Sequence, residues 1–407
     1  METMKFLMIS THYPPHNLGG DAKFVQYLSN ELVKRGHEVH VLCNPAVFTL
    51  LRRTNPQGSP QRSAPEIHTH VPSMPRLELL SGLMLGGSDG ARRDSIETIR
   101  RINPDVIHWH NTKGFLGLPY PVRGLISIYT AHDYYAVCAR SNLLKPDLSV
   151  CMTPKLCLIC NMRWGKPPPL WRIGKKRVLR FQKNLRVISP SVALANRLKE
   201  DGIVIDRILR NFVPDPGKLP EPEVGNSKTI VYLGMLEPHK GPQTLLKAFH
   251  SSRNEQGFTL FMIGEGSLKT RLRQMASDLG LGERVTVTGF LPREELESIR
   301  SRAVAQVIPS EWPENAPLTA IEALSQGVPL IGSDLGGLPE MLTSESGSMV
   351  FKGGESDQLA QRLIKAWTGS DRLSEMRRMA RRAYEDNYAP EVHISQYLEM
   401  IRKIETV

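Results

Sequence analysis

No stretch of this 407-residue chain approaches the roughly 18–20 consecutive apolar residues that a membrane-spanning helix needs. The longest apolar run, residues 77–85 (LELLSGLML), falls well short and carries Glu78. The opening residues METMKFLMIS are too short and wrongly built for a secretory signal, so they read as the first strand of a cytoplasmic protein. The fingerprint Gly-x-Gly-x-x-Gly is missing from the loop after that strand, which argues against a dinucleotide fold of the usual kind. Helix-turn-helix, zinc-finger and RNP signatures are missing too, so no specific nucleic-acid partner is expected. Cysteine is scarce, at five residues. Cys43 reads as the buried end of the second strand. Cys138, Cys151, Cys157 and Cys160 fall close together, and disulfides do not suit a cytoplasmic chain. One C-x2-C pair with two nearby cysteines predicts a structural zinc held by four thiolates, with free thiols as the alternative.

What is present fits a soluble α/β protein: 40% apolar residues with moderate glycine and proline. Lys and Arg number 52 against 41 Asp and Glu, a net charge of +11. Much of the excess gathers in 163–186 (RWGKPPPLWRIGKKRVLRFQKNLR), interleaved with Trp164, Trp171 and Phe181. Such a stretch suits an anionic membrane surface, and a solvated basic face is the plainer alternative.

Two series of short β-rich runs alternate with helical stretches, which predicts parallel sheets covered on both faces. The first series has strands at 5–10, 38–43, 106–109, 125–129 and 187–189, with a helix at 22–35 stopped by Gly36. A Pro-rich polar stretch, 213–227, reads as a linker. Strand signals restart at 229–233, 259–263, 285–288, 305–308 and 329–331. Ile394, Leu398, Ile401 and Ile404 make 390–407 an amphipathic helix. The expected division is a domain over 1–213 and a second over 214–389.

Glu314 and Glu322 carry the most chemistry. They stand in PSEWPENAPLTAIEALSQGVPLIGSDLGGLPE (309–340). Asn315 predicts an N-cap, Pro317 a first helical turn, and Leu318, Ile321 and Leu324 a helix that Gly327 stops. Glu314 then lies on the entry loop and Glu322 about two turns down the helix. Amides near Ala316–Leu318 would cradle a phosphate, with a carboxylate on each side for two sets of sugar hydroxyls. Lys240, just before Gly241 and another helix, can set a positive charge on a diphosphate. Gly19-Gly20 precede the first helix. His132-Asp133 follow a strand whose carboxyl end faces the ligand crevice of a doubly wound sheet. Asp133 is expected to fix the His132 tautomer, and His108 and His110 to be supporting or structural.

The window around Glu314 and Glu322 resembles the Glu-x7-Glu motif of family 4 retaining glycosyltransferases. Pro309-Ser310, Glu322-Ala323, Gly327-x-Pro329, Gly336-Gly337 and Glu340 match in order. The resemblance implies a GT-B fold: two doubly wound Rossmann-like domains facing a central cleft. It implies that 390–407 returns to complete the first, acceptor-side domain, and that the second domain binds a nucleoside-diphosphate sugar. Glu314 would then lie by the donor sugar and Glu322 would hold the ribose. His132 would face the sugar, and Gly19-Gly20 would lie beside sugar and acceptor. Gly266 would approach the sugar and Phe290 the nucleobase. The family usually reads Gly-Arg-Leu after the strand at 229–233, whereas this chain reads Gly234-Met235-Leu236. That departure removes a bidentate phosphate ligand and shifts the charge onto Lys240. The implied activity is retaining transfer of a hexose-type sugar to a hydroxyl of a glycan or lipid-linked acceptor. No Asp-x-Asp pair is placed to hold a catalytic metal, and a peripheral position on the membrane is expected. An epimerase or hydrolase on the same fold, and a nucleotide-sugar-binding protein without turnover, are the alternatives.

Overall fold

The computed structural model describes residues 3–16, 19–51, 64–72, 78, 82, 84–152, 157–172, 184–217, 229–252, 257–366 and 370–405. Most of the expected linker, the centre of the basic stretch and most of the apolar run at 77–85 lie outside these residues. The chain forms two compact units, Met1–Asn211 with Pro390–Val407, and Phe212–Ala389.

The first unit holds β1 (Lys5–Ile9), β2 (Glu38–Leu42), β3 (His68–His70), β4 (Val106–Trp109), β5 (Ile126–Thr130), β6 (Arg186–Ser189) and β7 (Arg207–Ile208). They form one parallel sheet in the order β3-β2-β1-β4-β5-β6-β7. The second unit holds β8 (Thr229–Leu233), β9 (Thr259–Ile263), β10 (Val285–Val287), β11 (Ala303–Ile308), β12 (Leu330–Ser333) and β13 (Met349–Phe351). These are also all parallel, in the order β10-β9-β8-β11-β12-β13.

The central strands are continuous apolar runs because helices cover both faces, so no wet side demands alternation. β11, AVAQVI, is buried at every position. Its one polar residue, Gln306, is satisfied: Nε2 donates to Thr319 O at 2.8 Å and Oε1 accepts from Arg300 Nε at 3.1 Å. The terminal helix Pro390–Glu405 belongs to the first unit and buries Ile394, Tyr397, Leu398 and Ile401.

Each sheet changes winding direction once, between β1 and β4 and between β8 and β11. In doubly wound sheets the crevice outside the carboxyl ends of the strands at that point is where ligands bind. Gly19-Gly20 and His110 follow the first such pair; Lys240 and Glu314 follow the second.

One local expectation fails. The helix after Glu314 spans Leu318–Ser325, and its N-cap is Pro317, at φ −66° and ψ 121°. Asn315 is therefore not the cap, and Glu322 lies one turn into the helix rather than two. Pro317 disfavours helical backbone at Ala316, so the helix cannot start upstream of it.

Candidate functional site

In the second unit, Lys240 and Glu314 meet across the switch point. Lys240 Nζ donates to Glu314 Oε1 at 2.6 Å. Ser310 Oγ donates to the same oxygen at 2.6 Å, and Trp312 Nε1 at 2.9 Å. The Lys240 ammonium also lies 4.7 Å from the centre of the Trp312 ring. Burial alone would raise the Glu314 carboxyl. The Lys240 charge and the donated hydrogen bonds outweigh it and hold the group below its ordinary value. All three donors thus converge on Oε1, and Oε2 receives no hydrogen bond from the described residues.

Two glycines make this meeting possible. Gly241, at φ +66°, lies against Pro309, whose carbonyl oxygen would sit 1.9 Å from any Cβ there. Gly336, at φ +67°, lies against Glu314, whose carbonyl oxygen would be 2.1 Å from an added Cβ. Gly337 N then donates to Glu314 O at 2.6 Å. A side chain at Gly241 would push apart the two loops that carry the ion pair, and one at Gly336 would push the loop after β12 off Glu314.

Glu322 is held separately. Arg300 Nη2 donates to its Oε2 at 3.2 Å, and Arg300 is only 2% exposed, braced by Gln306. The carboxylate is thereby fixed in direction beside the helix N-terminus.

The remaining expected donor-side residues lie on loops at the carboxyl ends of the same sheet. Gly234-Met235 follow β8, and the Met235 carbonyl accepts from Tyr232 Oη at 2.6 Å. Met235 is 48% exposed, so a longer cationic side chain would have room there. Gly266 packs on Leu236, with a Cβ there 2.3 Å from the Leu236 carbonyl oxygen. Phe290, 57% exposed, presents a large apolar face to solvent. Asn315 and Leu318 are buried, and Ala316 and Pro317 half-buried.

In the first unit, His132 follows β5 and its Nε2 lies 2.9 Å from Nδ1 of His110, which follows β4. Burial holds His132 down to about 4, against the pull of the nearby Asp21 charge. Asp133 Oδ1 accepts from Tyr135 N at 2.7 Å. Burial pushes the Asp133 carboxyl up to about 6, although Lys113 and the Tyr135 amide pull it down. Gly19 caps the first helix in an extended conformation and Gly20 begins it. Asp21, the next residue, accepts from Asn111 Nδ2 at 2.8 Å, joining the loops after β1 and β4.

The expected zinc site is not shown. Among the described residues no group of three or more His, Cys, Asp or Glu side chains is placed to hold a metal ion. Cys138, Cys151, Cys157 and Cys160 form no disulfide. Cys157 and Cys160 ride on the helix Cys157–Arg163, close enough to Cys138 and Cys151 for the thiols to act on one another. Burial raises both helical thiols, which keeps them protonated.

Sequence reasoning missed the partners rather than the principals. Ser310 lay inside the matched motif, but its convergence with Trp312 on one oxygen left no mark in spacing. Arg300 is 22 residues upstream of Glu322, and no local pattern ties them. Asp21 carried one signal, its place directly after Gly19-Gly20.

Residues 18–210 match the family model Glycosyltransferase Family 4, and residues 218–386 match Glycosyl transferases group 1. The chain is 30% identical over 186 residues to a GDP-mannose-dependent alpha-(1-6)-phosphatidylinositol monomannoside mannosyltransferase of Mycobacterium tuberculosis, a match covering 43% of this chain and 47% of that protein. The chain thus matches about half the length of that relative. It is 26% identical to the glycogen synthase of the same species over 83% of this chain and 80% of that protein. The structure matches the sucrose-phosphate synthase of Thermosynechococcus elongatus over 99% of both chains, with TM-score 0.73 and 17% identity.

Proposed function

We propose that this chain, a glycosyltransferase of the GT-B type, moves a sugar from a nucleoside diphosphate to a hydroxyl acceptor with retention of anomeric configuration. The observation that carries the reading is the convergence of Lys240, Ser310 and Trp312 on Oε1 of Glu314 at the switch point of the second sheet. Three donors on one oxygen orient the carboxylate, so that Oε2 accepts from hydroxyls of the donor sugar. The Lys240 ammonium has three N–H donors, and one goes to Glu314. The others serve the diphosphate, together with the backbone amides near Ala316–Leu318.

In the reaction, the bond from the anomeric carbon to the diphosphate oxygen breaks and its electron pair leaves with the diphosphate. The acceptor oxygen takes its place on the same face. Negative charge on the leaving group is the main barrier, and Lys240 with the helix-end amides lowers it electrostatically. Glu322, aimed by Arg300, holds the ribose hydroxyls, and Phe290 lies on the side of the base. His132 is assigned to the sugar. No divalent metal is required in this scheme, because Lys240 and the amides supply the positive charge.

The acceptor we propose is a glycan or a lipid-linked glycan. The relative that acts on phosphatidylinositol monomannoside supports it. So does segment 148–170, where Leu148, Met152, Ile159, Met162 and Leu170 are exposed beside the exposed Arg163 and Lys166. Exposed apolar groups beside cations suit the surface of an anionic membrane. No helix among the described residues is long and apolar enough to cross one. Met235 favours one second reading, a donor-binding protein without turnover, because it stands where the family places arginine.

The test is transfer from UDP-, GDP- and ADP-sugars to short glycans and glycolipids, with the anomeric configuration of the product read by NMR. A product with the donor's configuration supports the reading. An inverted product, free sugar alone, or binding without turnover rejects it.

A further inference from the structure

Behind His132 stands a column of aromatic rings that reaches the terminal helix of the same unit. The His132 and His110 rings meet edge to edge with centroids 5.2 Å apart, His110 lies tilted against His108 at 4.0 Å, and His108 stacks on Tyr397 at 5.3 Å. The far end is fixed on both sides. His108 Nε2 pairs with Thr130 Oγ1 at 2.8 Å, and His108 Nδ1 with the Tyr397 hydroxyl at 2.9 Å. Phe24, on the first helix, packs its ring 5.3 Å from His132. The His110 ring is thus clamped in place, and it is 1% exposed.

Only one hydrogen bond joins His110 to His132, between Nδ1 of the first and Nε2 of the second, at 2.9 Å. Burial keeps both rings neutral, so one nitrogen of the pair donates and the other accepts. The other nitrogen of His110, Nε2, is buried and has no hydrogen-bond partner among the described residues. If His132 donated, His110 would accept at Nδ1 and carry its proton at Nε2. That proton would be a buried N–H with no acceptor, the rarest kind of unsatisfied group in proteins. If His110 donates from Nδ1, its Nε2 is a bare lone pair and no N–H is orphaned. His132 then accepts at Nε2 and carries its own proton at Nδ1.

We propose that His110 is a positioning residue that donates from Nδ1 to Nε2 of His132 and so fixes His132 as the Nδ1–H tautomer. His132 is then a hydrogen-bond donor through Nδ1, and its Nε2 is not available as a general base. This rests on the reading of His132 as a residue that works at the sugar, and it adds the tautomer and its cause.

Two-bond 1H–15N NMR spectra of the histidine-labelled full chain distinguish protonated from bare ring nitrogens without any substrate. We expect His132 protonated at Nδ1 and His110 at Nδ1. His132 protonated at Nε2 would overturn the proposal. Substitutions then test the positioning role. The amide of His110→Asn reaches the place of Nδ1 and can still donate to His132, whereas that of His110→Gln reaches the place of Nε2 and cannot. We expect His110→Asn to keep the tautomer and most of kcat. His110→Gln and His110→Phe should lose the tautomer and at least tenfold in kcat, with KM for the donor little changed. Full kcat in His110→Phe would overturn the positioning role. Variants that fail to fold leave the wild-type spectrum to decide. The outcome that sinks the reading beneath is different: the expected tautomer with unchanged transfer in His132→Ala.

Discussion

Lys240 and Glu314 are 74 residues apart in the chain and 2.6 Å apart in the fold, one on each side of the switch point of the second sheet. The pair prepares two tasks at once. In the proposed function it holds a cation for the diphosphate, and it turns one carboxylate oxygen away from the protein's own donors. An ion pair this buried contributes little net stability, because desolvation offsets the attraction. Its worth lies in placement.

The two glutamates should separate in kinetics. Glu314→Ala is expected to lower kcat, because its carboxylate meets the sugar, while Glu322→Ala raises KM for the donor. Each should cost roughly 1.5–3 kcal/mol, the usual effect of losing a hydrogen bond to a charged group. Glu314→Ala also strands the Lys240 charge, so the double variant with Lys240→Met should be more stable than Glu314→Ala alone. Initial rates over a range of donor concentrations, with thermal melts of all variants, check both statements.

Met235→Arg returns a guanidinium to the loop after β8. Met235 is half exposed, so the longer side chain enters without displacing the core. Donor Kd should fall severalfold, as a bidentate phosphate contact is gained. Calorimetric titration with the nucleoside diphosphate measures it. Weaker binding would mean that the pocket is built around methionine.

The first unit should be sensitive to acid. Burial holds His393 down to about 4, and His132 likewise. A histidine whose folded value is depressed takes up its proton more readily in the unfolded chain. Stability is therefore full above about pH 6.5 and is lost as pH falls from there toward 4. Each such histidine accounts for about 3 kcal/mol across that window. Urea melts between pH 7.5 and 4.5 should show this loss. His393→Asn, which can still donate to Arg210 O in place of Nδ1, should flatten it.

Membrane attachment should depend on exposed residues of the first unit. Flotation with anionic vesicles at low salt should carry the protein, and neutral vesicles should not. Replacing Met152, Ile159 and Met162 with Ser, or Arg163 and Lys166 with Gln, should reduce it. Raising salt should weaken it too, as charges are screened beyond about 10 Å at 0.1 M. The proposed membrane-presented acceptor would be rejected by an absence of flotation at low salt.

Apart from β10, the strands that sequence reading found are the inner ones. Runs such as TIVYL at β8 and TLFMI at β9 are apolar because both faces are covered, and that composition is visible without a structure. The strands it missed lie at sheet edges. β3 is His-Thr-His and largely exposed, β7 is two residues long, and β13 is three. With little buried surface, their sequences carry no apolar signature. The site divides the same way. Glu314, Lys240 and His132 stand at strand ends and helix starts, and Glu322 one turn into a helix, which local pattern marks. What orients them, namely Trp312 and Ser310 on one oxygen, Arg300 behind Glu322 and His110 behind His132, arises from side-chain contacts that no sequence period marks. The error at Asn315 is local in kind: a good capping residue was outvoted by the proline two positions on.

The central claim is that the pair at the switch point of the second sheet receives a nucleoside diphosphate. Thermal shift with UDP, GDP and ADP, on wild type and on Lys240→Met, tests it most directly, since a ligand that binds only the folded state raises the melting temperature by mass action. The account predicts that one of the three nucleotides stabilises the wild type clearly, and that Lys240→Met loses most of that shift while remaining folded. No shift with any of them, or an equal shift in Lys240→Met, would contradict it.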